Sequence, residues 1–402
     1  MVVAIAHYAE SIPTDAGFVL SRYASVAKAL QDRGHTTHRI VPSFSHGSRK
    51  QRDVLGEISD ESYGTFHIVQ TTGYQNPRSL NRLGFLRQYT KGTIDVFRKI
   101  EPDIVVIGLP PPGIASATRS MESCSESQII LDVRDLWPDA QLATSQGLQR
   151  LAFRLATPWV KRLMRKDLRA ADAVIGISES YTMWARRHCP EQQHRPKAVF
   201  PLGAPVRKIQ EGQPAFRVRR GVVFVGSLSP LFDFRLLCNA WMLIERWRPE
   251  LAQEHPLVIV GDGPEKSSLV ERAMALDSVT LEGYRPYAEA LEFMRSSRIG
   301  LAPYTAGEHL TIPNKLCEYL SAGLNVVTTL TGDARKLIED EDLGRVVPPS
   351  DPNAMARAII ELLEKNTESE AMSKRCATVA RNRLDRERIG EDFAEFILEV
   401  GS

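Results

Sequence analysis

The chain has 402 residues, with 51 Lys plus Arg against 49 Asp plus Glu, a formal net charge of +2, 43% apolar residues and 25% charged ones. That length exceeds one ordinary domain and predicts two α/β domains. The composition excludes a disordered or low-complexity chain, and the near-neutral balance offers no global basis for binding nucleic acid. The five cysteines (Cys124, Cys189, Cys238, Cys317 and Cys376) show no C-x-x-C spacing. Neither a disulfide framework nor a zinc site is expected, which fits a cytoplasmic location.

Met1 to His7 has no basic n-region and reads as a strand, not a signal peptide. A loop through Gly17 leads to a helix from Phe18 to about Arg33, stopped by Gly34. A strand at 37–41 follows, and residues 42–63, rich in Ser, His and Arg, read as an irregular loop. A basic helix is predicted from Arg78 to Lys99. Strands follow at 104–107 and 128–133, the second ending in the polar run Arg134-Asp-Leu-Trp-Pro-Asp139. The longest apolar run, 104–117, is broken by three prolines and is too short to span a bilayer. A helix at about 150–170, a strand at 173–177, another helix and a strand at 198–201 complete the first half.

Residues 203–220 lack periodicity and read as a linker. Strands are then expected at 221–226, 257–260, 279–282, 299–302, 325–329 and 344–347. Helices close the chain, the last spanning 385–400. Strands alternating with helices imply parallel, doubly wound sheets. Gly, Pro or charge gathers at the carboxyl end of nearly every strand, where open α/β sheets bind ligands.

The densest motif is Pro313-Asn-Lys-Leu-Cys-Glu-Tyr-Leu-Ser-Ala-Gly323. Pro313 suits the start of a helix, which puts Asn314 and Lys315 in the first turn, where the dipole disfavours a cation unless an anion lies beside it. Free N–H groups and a lysine at one helix tip suit a phosphate. Glu318, one turn on, is placed to accept hydrogen bonds from sugar hydroxyls. An i,i+3 surface ion pair between Lys315 and Glu318 explains the same pattern equally well. No G-x-G-x-x-G follows the first strand and no G-x-x-x-x-G-K-[ST] occurs, which counts against a nicotinamide dehydrogenase and a P-loop enzyme. The metalloprotease H-E-x-x-H and the hydrolase G-x-S-x-G are also absent.

Several segments, in order, resemble the family 4 glycosyltransferases. Leu131-Asp-Val-Arg-Asp-Leu-Trp-Pro138 resembles the R-D-L-W-P signature of a subgroup that builds bacterial surface polysaccharides. Tyr74-Gln-Asn-Pro-Arg78 with Phe85 is similar to a segment of that subgroup. Val223 to Leu228, Val258 to Glu265, Val279 to Tyr284, and Pro313 to Gly323 with Val326-Val327 resemble successive pieces of the family's donor domain. The resemblance implies a GT-B fold, two Rossmann-like doubly wound domains facing across a cleft. The expected division is an acceptor domain at 1–202, a linker at 203–220, a donor domain at 221–384, and a final helix at 385–402 packing back toward the first domain.

The implied activity is retaining transfer of a sugar from a nucleotide-diphosphate sugar to a saccharide or lipid-linked acceptor, with no cofactor and no metal. The implied donor residues are Gly17, the backbone of Gly226 and Ser227, Gly283 and Tyr284 near the base, and Asn314, Lys315 and Glu318 at the helix tip. Asp135 would help deprotonate the acceptor and Arg134 would contact an anion. A holding network of Arg134, Asp135 and Asp139 fits those residues almost as well.

The resemblance lapses at three places. Leu310 stands where the family has its first glutamate, with Glu308 nearby. Ser227 to Phe234 lacks the usual arginine and lysine. Arg298 replaces a common aspartate. A binding subunit without activity therefore stays open, whereas a non-transferring enzyme such as a nucleotide-sugar 2-epimerase is disfavoured, because the acidic and histidine groups it needs have no evident place in the sequence. The segment 151–169, with six basic residues and one acidic, and the basic helix before it suit an anionic membrane surface. A solvated helix face accounts for them as readily.

Overall fold

The computed structural model describes every residue except 16–19, 47, 75–79, 140–141, 143–146, 193 and 306–310. Gly17, Glu308, Leu310 and the Gln75 to Arg78 part of the resemblance lie outside the described residues. The chain forms two compact units, Met1–Pro201 with Glu387–Ser402, and Leu202–Arg386.

The first unit carries β1 (Val2–Ala6), β2 (Thr36–Pro42), a small hairpin of β3 (Phe44–Ser45) and β4 (Lys50–Gln51), β5 (Gly56–Asp60), β6 (Gly64–Val69), β7 (Ile104–Leu109), β8 (Gln128–Val133), β9 (Ala173–Gly176) and β10 (Lys197–Val199). Eight of these form one sheet in the order β10-β9-β8-β7-β1-β2-β6-β5. All its pairs are parallel except β5 with β6. The central strand β7 is buried along its whole length, as expected for a parallel strand covered on both faces.

The expected irregular loop at 42–63 is corrected here. It contains the hairpin and β5, which pairs with the unforeseen β6. The Thr and His residues in Gly64–Val69 interrupt an apolar run, yet His67 is buried and bonds His38 of β2 at 2.8 Å. The first helix runs Arg22–Asp32 and is capped by Ser21, whose side chain accepts from the Ala24 N–H.

The second unit carries β11 (Val222–Val225), β12 (Leu257–Val260), β13 (Val279–Gly283), β14 (Ile299–Ala302), β15 (Asn325–Thr328) and β16 (Gly344–Val346). Its sheet order is β13-β12-β11-β14-β15-β16 and every pair is parallel. Numbered from β11, this is the 3-2-1-4-5-6 order of the Rossmann sheet, whose ligands lie where the order reverses, beyond the carboxyl ends of the central strands. In this unit the reversal falls between β11 and β14. In the first unit the corresponding point is between β1 and β7.

Residues 203–220 are part of the second unit. Val206 and Ile209 of the helix Val206–Gln210 are buried, as is Phe216. Arg298, at the position where the resemblance lapses, explains part of this packing. Its guanidinium bonds the carbonyls of Arg219 at 2.9 Å and Arg217 at 3.3 Å, and lies 5.2 Å from the Phe216 ring centre.

Candidate functional site

The helix Asn314–Ser321 begins directly after Pro313, which stands at its cap position. Asn314 is exposed, whereas Lys315 is only 9% exposed. The Lys315 side chain does not point out from the helix tip. Its Nζ donates to the Val225 carbonyl at the end of β11. It lies 3.8 Å from the Phe224 ring centre, 4.8 Å from that of Phe232 and 5.6 Å from that of Tyr319. Ring faces attract a cation, but burial dominates and pulls this ammonium down to about 7, against the opposing pull of Glu318.

Gly226 completes the seat. Its φ is +147°, and a Cβ built there would lie 2.5 Å from the Lys315 Nζ. Only glycine fits both the backbone conformation and the neighbour. Gly226 donates its N–H to the Val260 carbonyl at 2.9 Å, and Gly261 donates to the Gly283 carbonyl at 2.7 Å. The ends of β11, β12 and β13 are thus knitted together by glycines. Gly226 and Lys315, 89 positions apart in the chain, meet at the point where the strand order reverses.

Glu318 is half-buried, and burial raises its carboxyl above the usual range, with Arg386, Lys315 and Tyr287 acting in the opposite direction. Arg386 donates to the carbonyls of Leu202 at 3.2 Å and Gly203 at 2.6 Å. The alternative of an i,i+3 surface ion pair is not what forms: Lys315 turns to the β11 end and the foremost charge acting on Glu318 is Arg386. Ser227 is exposed beyond Gly226. Gly283 adopts φ +68° at the end of β13, and Tyr284 after it is 74% exposed. These two lie on the edge strand and are not brought against Lys315.

The first unit holds a second polar cluster at its own reversal point. His7 follows β1, and Gly108 of β7 packs so tightly that a Cβ there would meet the His7 ring at 2.5 Å. Tyr23 and Arg22 of the first helix both engage the buried Asp132 of β8. Glu10 accepts from Arg39 and Ser21, each at 2.5 Å. Its carboxyl is lowered to about 2, burial opposing and His7 and Arg39 prevailing.

Arg134, just past β8, lies 5.0 Å from the Tyr23 ring centre. Among the described residues, its Nη1 and the Trp137 Nε1 have no hydrogen-bond partner. Burial lowers Arg134, but Tyr23, Asp132 and Glu10 outweigh it and raise the guanidinium above its usual value. Asp135, half-buried, donates its N–H to the Leu109 carbonyl at 3.3 Å. Asp139 does not close an Arg134 network. It bonds Lys161 at 2.8 Å and the Trp184 indole at 2.9 Å. Sequence reading missed His7, Glu10, Arg22, Tyr23 and Asp132. The one available signal was an aspartate inside the apolar strand Gln128–Val133, which needs a buried partner.

Among the described residues no group of three His, Cys, Asp or Glu side chains is placed to hold a metal ion, and no helix is long and apolar enough to cross a membrane.

Comparison with known proteins matches residues 21–205 to the family model described as Glycosyltransferase Family 4 and residues 219–365 to the one described as Glycosyl transferases group 1. A phosphatidyl-myo-inositol mannosyltransferase of Mycolicibacterium smegmatis is 32% identical over 119 residues, which are 29% of this chain and 30% of that protein. The chain thus aligns with under a third of the length of that curated relative. Among solved structures, a sucrose-phosphate synthase of Thermosynechococcus elongatus superposes with a TM-score of 0.75 at 15% identity over 99% of this chain and 98% of that one. Anabaena HepE in complex with UDP-glucose gives 0.64 at 15% identity over 99% and 100%. Such likenesses show the fold. With the strand orders of both units and the two models spanning most of the sequence, they make this chain a member of glycosyltransferase family 4 with the GT-B fold.

Proposed function

We propose that the chain transfers a sugar from a nucleoside-diphosphate sugar to a hydroxyl of a saccharide or lipid-linked acceptor, with retention of configuration and without a metal. The observation that carries this reading is the meeting of Lys315 and Gly226 at the reversal point of the second sheet. A diphosphate beside Gly226 approaches backbone that bears no Cβ, and Lys315 supplies the charge that neutralises the leaving group. The solved complex of Anabaena HepE with UDP-glucose supports a donor of this class. Glu318 then serves the ribose hydroxyls, Tyr284 the base, and Ser227 and Asn314 the phosphate edge. Gly17 keeps its proposed role on the donor. Asp135 is proposed to help deprotonate the acceptor hydroxyl.

The experiment is nucleoside-diphosphate release from a panel of UDP-, GDP- and dTDP-sugars with lipid-linked and free saccharide acceptors. Release that depends on both substrates supports transfer. Donor binding with no acceptor-dependent release by the intact protein would instead favour a binding subunit.

The acceptor is proposed to reside at an anionic membrane surface. On the helix Gly147–Ala170, Leu151, Leu155 and Trp159 are 55%, 76% and 59% exposed. Spaced by four, they share one face, and Arg154, Arg162, Arg165 and Lys166 beside them are also exposed. Apolar side chains flanked by cations suit the headgroup region of a bilayer. The working protein is proposed to sit on the cytoplasmic face of that membrane.

A further inference from the structure

We infer that the polar cluster at the reversal point of the first sheet is an anion subsite, which takes an acceptor sugar bearing a phosphate or a carboxylate. The inference rests on the reading of the first unit as the acceptor domain and narrows its substrate class.

Six side chains from four chain segments converge there. Arg82, on the helix Leu80–Ile100, donates to the Tyr8 hydroxyl at 3.2 Å and lies 5.3 Å from the Trp137 ring centre. Tyr8 packs at 5.4 Å from His7 and 5.7 Å from His46, ring centre to ring centre. His7 in turn lies 5.5 Å from Tyr23, the ring that carries Arg134. Arg134 and Arg82 therefore bracket one region lined by Tyr8, His7, His46 and Trp137.

The cluster is rich in donors. The nearby carboxylates are already committed, Glu10 to Arg39 and Ser21, and Asp132 to Arg22 and Tyr23. Counting Arg22, Arg39, Arg82 and Arg134 against Glu10, Asp132 and Asp135 leaves one positive charge in excess. Among the described residues, two buried donors, Arg134 Nη1 and Trp137 Nε1, have no hydrogen-bond partner. Buried donors without acceptors are costly unless a ligand answers them. Phosphate and carboxylate are the acceptor-rich groups that planar guanidinium forks match. The electrostatics agree with the geometry: His46 is lowered to about 4 by burial and then by Arg82, Arg49 and His7, and His7 is lowered by burial and then by Arg134.

The test is isothermal titration of glucose 1-phosphate, glucuronate and glucose into the full-length Lys315→Met protein, whose nucleotide seat has lost its cation. The subsite predicts that at least one anionic sugar binds tenfold or more tightly than glucose, with an advantage that falls as salt rises. A gain for the phosphate alone identifies a sugar phosphate, and a gain for glucuronate identifies a uronate. The advantage should vanish when Arg82→Gln or Arg134→Gln is added. Where Arg134→Gln does not fold, Arg82→Gln decides alone. Equal binding of the three sugars, or an advantage that survives Arg82→Gln, overturns the inference. Failure of the transfer reading is separate: it would appear as absent nucleotide-sugar binding by the wild-type protein while the anionic preference persists.

Discussion

The Lys315 ammonium lies 3.8 Å from the centre of the Phe224 ring while its own residue occupies the first turn of a helix. The ring face and the Val225 carbonyl hold a cation where the helix dipole disfavours one. Such a seat keeps the charge ready at the cost of fold stability, so its removal separates the two.

Lys315→Met retains most of the volume and removes the buried charge. A buried ammonium pulled down from 10.5 to about 7 opposes folding at neutral pH, so its removal should stabilise the fold. The variant should melt a few degrees higher in calorimetry, and its affinity for the cognate nucleoside diphosphate should fall at least tenfold. A lower melting temperature together with unchanged affinity would remove Lys315 from the site.

The pH dependence follows from the same residue. Burial lowers Lys315 from 10.5 to about 7 in the folded chain. Between those values the unfolded chain holds a proton that the folded one has released, so this residue makes stability rise with pH from about 7 to 10.5. Lys315→Met should flatten that part of the stability profile. A bound diphosphate favours the ammonium, so nucleotide binding at pH 8 should take up close to one proton. Titration in buffers of differing ionisation enthalpy reads this directly, and an enthalpy independent of buffer would contradict it.

Gly226→Ala tests the backbone. At φ +147°, with its Cβ against the Lys315 Nζ, the alanine should cost about 1–3 kcal/mol of stability and weaken nucleotide binding. Gly283→Ala, at φ +68° with open space around its Cβ, should cost about 1 kcal/mol from conformation alone. Urea denaturation and nucleotide titration of both variants separate the strain from the site.

Asp132→Asn breaks the buried pair with Arg22 and weakens the hold on Tyr23. Loss of one partner of a buried ion pair typically costs about 3–5 kcal/mol. The urea midpoint of the first unit should fall accordingly, while the binding of nucleotide to the second unit should be retained in conditions where both are folded.

The exposed face of Gly147–Ala170 gives a prediction for flotation assays. The protein should float with phosphatidylglycerol vesicles at low salt and far less with phosphatidylcholine alone. Leu155→Gln with Trp159→Gln should abolish flotation without changing the melting temperature, because both side chains are exposed. No binding of wild-type protein to anionic vesicles at low salt would end the membrane proposal.

The alternation of strand and helix was legible in the sequence because parallel strands are short apolar runs with Gly, Pro or charge at their ends. Hence β7, β8, β11, β12 and β14 were placed within a residue or two. β6 was hidden by Thr65 and His67, whose burial depends on a partner strand and not on a local pattern. Lys315 and Gly226 could each be singled out as candidates from their own motifs. The aromatic seat was not, because Phe224 and Phe232 lie more than 80 positions upstream of the lysine they surround. The Arg22–Asp132 pair was invisible for the same reason, its partners being 110 positions apart.

The helix Arg386–Val400 has a consequence for how the chain comes into being. Ile389, Phe393, Ala394 and Ile397 belong to the core beneath β1, β7 and β8, and Phe393 stacks on Phe200 with ring centres 4.5 Å apart. Gly390 sits against Ser25 so closely that a Cβ there would lie 2.5 Å from the serine Cβ. At a synthesis rate of about 5–20 residues per second, these side chains reach the ribosome exit roughly 10–40 seconds after Pro201 does. Throughout that interval the first unit has an apolar groove with nothing to fill it. A nascent chain that pauses within the second unit is therefore exposed to chaperones and proteases through its first, already translated half.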